Sequence, residues 1–137
     1  MRQVITLCLA VLPLAACGGG GRYDAGPLGM VAAPPEFAAH GTASARGGQA
    51  VVRMSEDYFE PTVIRAAPGS RLTLLLENVG QVTHSFDVVT ESQKVDVVVQ
   101  PGRRATVHVR VPRFGRLLFF CKLHWARGMA GYVEPSG

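Results

Sequence analysis

The chain has 137 residues, room for one folded domain once processing is allowed for, and a formal net charge of +4. A chain of that length is not expected to be a multidomain enzyme. With only 3 cysteines, a disulfide-stapled scaffold is excluded as well.

The chain opens with an export signal over residues 1–16. A short basic start with Arg2 is followed by an apolar run over 4–14, and Leu14, Ala15 and Ala16 precede Cys17. The run is too short to span a bilayer, where about 20 residues are needed. Leu-Ala-Ala-Cys resembles the bacterial lipobox, which implies cleavage before Cys17 and lipidation of its thiol. Loss of Arg2 with the signal lowers the net charge from +4 to +3. Cys8 leaves with it, so Cys121 is the single thiol not explained by processing. A lone thiol in an oxidising compartment calls for a reason, either burial in a core or metal ligation.

Residues 17–48 are rich in Gly, Ala and Pro and lack a sustained period, so they read as a flexible tether that includes His40 and Met30. From 49 to 137 the pattern becomes a folded domain of short β-like runs. Strands are expected near 49–54, 62–66, 71–78, 84–89, 94–99, 104–111, 116–121 and 130–134. Pro68-Gly69 and Pro101-Gly102 punctuate them. Leu72, Leu74 and Leu76 share one face; Val107, Val109 and Val111 share another, opposite Thr106, His108 and Arg110. About eight strands without a helix predict an all-β, two-sheet β-sandwich.

Chemistry concentrates in one segment. Cys121, His124 and Met129 place a thiolate, an imidazole and a thioether within nine residues, on a loop between two expected strands. His84 supplies a second imidazole where another strand begins. Copper cycling between two oxidation states is served by two imidazoles, a thiolate and a weak axial thioether. Strand parity turns His84 inward with Phe86 and Val88, and Cys121 inward with Leu117 and Phe119.

The C-x2-H-x4-M loop, followed by Gly131 and Val133, resembles the plastocyanin and pseudoazurin branch of the cupredoxins. The match also takes in Phe59, Pro61, Gly69, Asn78, His84, Pro101 and Gly102. The resemblance implies a Greek-key β-sandwich and one mononuclear type 1 copper held by His84, Cys121, His124 and Met129. It also implies that Asn78 and the residue after His84 brace the site, and that the edge of His124 is the electron port. Ser85 stands where many members have Asn, and Trp125 beside His124 would widen an apolar docking patch.

The expected function is a blue-copper electron carrier, not an enzyme. It is expected to act as a monomer at the periplasmic face of a membrane, anchored by lipid and exchanging electrons with a cytochrome, oxidase or reductase. Four ligands leave no position for substrate, and the extra His or Cys ligands of multicopper oxidases and dinuclear sites are missing. The alternative is copper storage or delivery to an exported oxidase or reductase. Nucleic acid is not expected as a partner. Between residues 97 and 133 there are seven Lys or Arg and no Asp or Glu. Simple solvation explains such charges, or a basic surface that meets an acidic partner or anionic lipid.

Overall fold

The computed structural model describes Phe37 and residues 39–137. The expected signal over 1–16, Cys8, Cys17 and Met30 lie outside the described residues. Among those described, no helix is long and apolar enough to cross a membrane.

Among the described residues, ten strands form two sheets. They are β1 (Thr42–Ser44), β2 (Gln49–Ser55), β3 (Tyr58–Glu60), β4 (Val63–Ala66), β5 (Arg71–Asn78), β6 (His84–Val89), β7 (Lys94–Val99), β8 (Arg104–Arg110), β9 (Leu117–Phe120) and β10 (Ala130–Pro135). One sheet has the order β1-β4-β10-β9-β6-β7, the other β3-β2-β5-β8. All eight expected strands form, with ends moved by a residue or so. The two added strands, β1 and β3, have three residues each, too few to display a period of two.

Strand β1 lies ahead of residue 49 and pairs in parallel with β4, so the sandwich takes in residues from the segment read as tether. His40 is part of this: its ring stacks on Tyr58 at 3.7 Å, and its amide donates to Thr62 Oγ1 at 2.6 Å. Sequence composition gave no sign of this, because the contacts are tertiary.

Alternation fixes what is buried. Leu72, Leu74 and Leu76 of β5 face Val107 and Val109 of β8 within the core, and Phe59, Phe86 and Phe119 meet at its centre. Gly131 lets β10 close on this centre, since a Cβ there would meet the Phe119 ring and the Thr62 carbonyl. The register gives the sandwich two distinct ends. The end of β5, the start of β6, the end of β9 and the start of β10 lie at one; the start of β5, the end of β8, the start of β9 and the end of β10 lie at the other.

Candidate metal centre

His84, Cys121 and His124 come together at the first of these ends. One ligand atom from each lies within 4.8 Å of the others, close to the roughly 4.0–4.6 Å that two metal–ligand bonds of about 2.0–2.3 Å span. Nδ1 of His84 is 3.1 Å from Nδ1 of His124, and the latter is 3.5 Å from Cys121 Sγ. His84 and Cys121 are fully buried, while His124 is half-buried. Inward parity of β6 and β9 delivers the first two, as expected from the sequence.

The loop after β9 is closed by its own backbone. The Cys121 amide donates to the Met129 carbonyl at 3.0 Å, and the His124 amide donates to the Cys121 carbonyl at 3.1 Å. Trp125–Arg127 form a single 3-10 turn ended by Gly128 at φ 82, whose N–H donates to the Trp125 carbonyl. A left-handed φ is inexpensive for glycine and costly for most other residues. Met129 is buried completely, and the Trp125 ring packs edge-on against Phe120 at 5.1 Å.

The opposite segment is braced by Asn78. Its amide donates at 2.8 Å to the carbonyls of Val82 and Val99 and accepts from the Gly80 amide at 3.0 Å. That fixes the turn which leads into His84. Gly80 backs onto the His84 ring: a Cβ there would lie 3.2 Å from Nε2 and 2.6 Å from Glu56 Oε1.

Ser85 ties the two segments together, by a route the sequence did not announce. Its amide donates to Cys121 Sγ at 3.3 Å, and its hydroxyl lies 2.6 Å from Asp87 Oδ2 and 3.5 Å from the sulfur. A hydroxyl has one proton, and the short contact to an acceptor-only carboxylate claims it. The amide of Lys122 then donates to Ser85 Oγ and Asp87 Oδ2, both at 3.0 Å. Asp87 is only 3% exposed. The Lys122 ammonium lies 3.7 Å from it and pairs with Asp96. An acid between the apolar Phe86 and Val88, two residues after Ser85, was the available signal.

The donor chemistry fits copper. Burial, and secondarily the neighbouring His124, push the His84 pKa below its ordinary value, so the ring stays neutral and keeps a lone pair to offer. His84 Nε2 is a buried nitrogen with no hydrogen-bond partner among the described residues. Two imidazoles and a thiol at this separation form a candidate site for one copper ion. His108, by contrast, sits on the outer face of β8 and meets Thr73 at 3.1 Å, as its parity predicted.

Comparison with known proteins agrees with this geometry. Residues 29–131 match the sequence model of the family described as Cupredoxin-like domain. No curated protein matches the chain by sequence. Among solved structures, auracyanin B is similar with a TM-score of 0.56 at 16% identity, covering 65% of this chain and 88% of that one. Reduced auracyanin from the photosynthetic bacterium Roseiflexus castenholzii gives 0.51 at 15% identity, over 73% of this chain and 100% of that one. Auracyanin A, a "blue" copper protein from Chloroflexus aurantiacus, gives 0.50 at 12% identity, over 64% and 99%. These likenesses establish the sandwich. Together with the family match over most of its length, they show that the chain belongs to the cupredoxin-like domain family.

Proposed function

We propose that the protein is a single-electron carrier in which His84, Cys121, His124 and Met129 hold one type 1 copper. The observation that carries this reading is the convergence of three donor atoms within 4.8 Å at one end of a sandwich. When bound, copper supplies a couple between Cu(II) and Cu(I). The chain holds its ligands in place for both states: the 121–129 loop is closed by backbone hydrogen bonds, and the Ser85 amide points at the sulfur. Small ligand movement keeps reorganisation low, which suits electron exchange better than bond chemistry. Met129 would add a weak thioether ligand, a reading supported by its burial on the returning arm of the same loop.

His124 is the electron port, being the ligand that is not fully buried. Trp125 sits beside it. Val79, Val82 and Leu123, all exposed, lie in the two segments that supply the ligands. A docking cytochrome, oxidase or reductase would approach there. Delivery of copper is the weaker reading, because both described methionines, Met54 and Met129, are fully buried and offer no exposed relay. In the same proposal, residues 1–16 are an export signal and Cys17 carries the lipid that holds the monomer at the periplasmic face of a membrane.

Addition of Cu(II) to the purified chain tests the centre. An intense visible band with narrow copper hyperfine splitting, bleached by reductant and restored by oxidant, is the expected result. A colourless product means that Cys121 is not a ligand. Replacement of Met129 by Gln should retain the band and lower the reduction potential; an unchanged potential removes Met129 from the axial position.

A further inference from the structure

The seven basic residues between 97 and 133 do not form one surface. Arg103, Arg104, Lys122 and Arg127 fall at the metal end, and all but Arg103 are paired there, with Glu77, with Asp87 and Asp96, and with Asp57. Arg110, Arg113 and Arg116 fall at the opposite end. The β5–β8 register sets Arg110 beside Arg71, and Arg110 donates to the Gly69 carbonyl at 3.2 Å. The Arg113 side chain packs over Gly69, 3.4 Å from where a Cβ would stand.

The consequence is a polarised domain. Among the described residues, the far end carries seven Lys or Arg against Glu91 and Glu134, whereas the metal end carries five against six acids. Among the described residues, Arg46, Arg71, Arg110 and Arg113 have no carboxylate in ion-pair range. Between Arg113 and Arg116 stands Phe114, 89% exposed, at the tip of the turn from β8 to β9.

We propose that this far end is a docking surface for an anionic lipid bilayer. A single projecting ring within a spread of unpaired guanidinium groups differs from a protein interface, which needs several apolar side chains around a central pocket. It matches what a bilayer surface accepts: an aromatic ring at headgroup depth and cations against lipid phosphate. Phe114 enters the headgroup–acyl boundary while the unpaired Arg71, Arg110 and Arg113 meet phosphates. The metal end then faces away from the lipid. The surface needs no metal, so it stands or falls separately from the copper reading. The 20 residue-to-residue steps from Cys17 to Phe37 reach at most about 70 Å, so an anchor at Cys17 permits this orientation.

The chain contains 1 tryptophan, Trp125, which lies in the metal-end loop and so reports the opposite pole. The full chain and its Phe114→Trp variant would be mixed with vesicles of phosphatidylcholine alone, or of phosphatidylcholine and phosphatidylglycerol, both with brominated acyl chains. On the anionic vesicles the indole introduced at 114 should shift to the blue and lose about half its emission or more, while Trp125 in the unmodified chain stays unquenched. Adding Arg71→Gln and Arg113→Gln, or raising salt to about 1 M, should reverse the quenching. An unquenched indole at 114 on anionic vesicles overturns the proposal and leaves the charge to an acidic protein partner. Equal quenching on phosphatidylcholine alone, or equal quenching of Trp125, overturns it as well. Both readouts follow the two poles of the domain, so vesicle binding through the N-terminal segment does not imitate the expected pattern.

Discussion

The two ends of this sandwich are built from the same strands and solve opposite problems. At the metal end the polar groups are buried and tied to one another: Asn78 to three backbone groups, Ser85 to Asp87, and the Lys122 amide to both. At the far end most of the charge is exposed and lacks an ion-pair partner, and the largest apolar side chain stands in solvent. A metal site needs ligands that stay put, and a buried, satisfied network supplies that. A surface for a bulk partner needs unsatisfied charge and accessible apolar area. Strand β9 joins the two, with Arg116 just before it and Cys121 just after.

The largest expected contrast between the ends uses one residue type. Phe119 is 0% exposed, with ring centroids 5.1 Å from Phe59 and 5.0 Å from Phe86. Truncation to Ala should cost about 3–5 kcal/mol in urea unfolding. The same change at Phe114 should alter stability by no more than about 0.5 kcal/mol. Similar losses at both positions would mean that the far-end turn packs against the core.

A smaller effect separates the two acids that share Lys122. Asp87→Asn replaces the charged carboxylate that accepts the Ser85 proton with a neutral, weaker amide acceptor, and should cost about 1–3 kcal/mol. It should also shift the visible band of the copper-loaded protein, since Ser85 lies against the sulfur. Asp96→Asn, at the exposed partner of the same lysine, should leave both the unfolding midpoint and the spectrum unchanged. A spectrum indifferent to Asp87 would reduce its network to a purely structural tie.

The smallest effect belongs to Glu134 at the far end. Hydrogen bonding from Arg65, with the charge of Arg116 beside it, holds its carboxyl below the ordinary value of 4.5. A depressed folded pKa means that the unfolded chain binds the proton more readily. The contribution is therefore present above 4.5 and fades as pH falls through the folded value. Glu134→Gln should lower the thermal midpoint slightly at neutral pH, and the two proteins should converge in acid. A gap that persists in acid would assign the effect to packing, not to charge.

Much of this was legible from local pattern. The period of two in β5, β8 and β9 marks the buried faces, and the turn dipeptides mark strand ends, because pleated strands place alternate residues on opposite faces. The spacing of Cys121, His124 and Met129 is a local property, so the loop could be found without the fold. Strands β1 and β3 could not be found this way: three residues carry no period, and each exists because a neighbour offers free backbone groups. Asp87 escaped notice for a related reason. Its partners are Ser85 on the same strand and Lys122 on another, and only the register of β6 against β9 brings them together.

By itself, the sequence determined the strand pattern, the ligand types and their spacing along the loop, since each is set by neighbours in the chain. Tertiary structure decided which charges are paired and which are free. The seven basic residues between 97 and 133 look like one run in the sequence, yet β8 and β9 carry them to opposite ends. Strand direction, which a linear pattern does not contain, places four beside the metal site and three at the far pole.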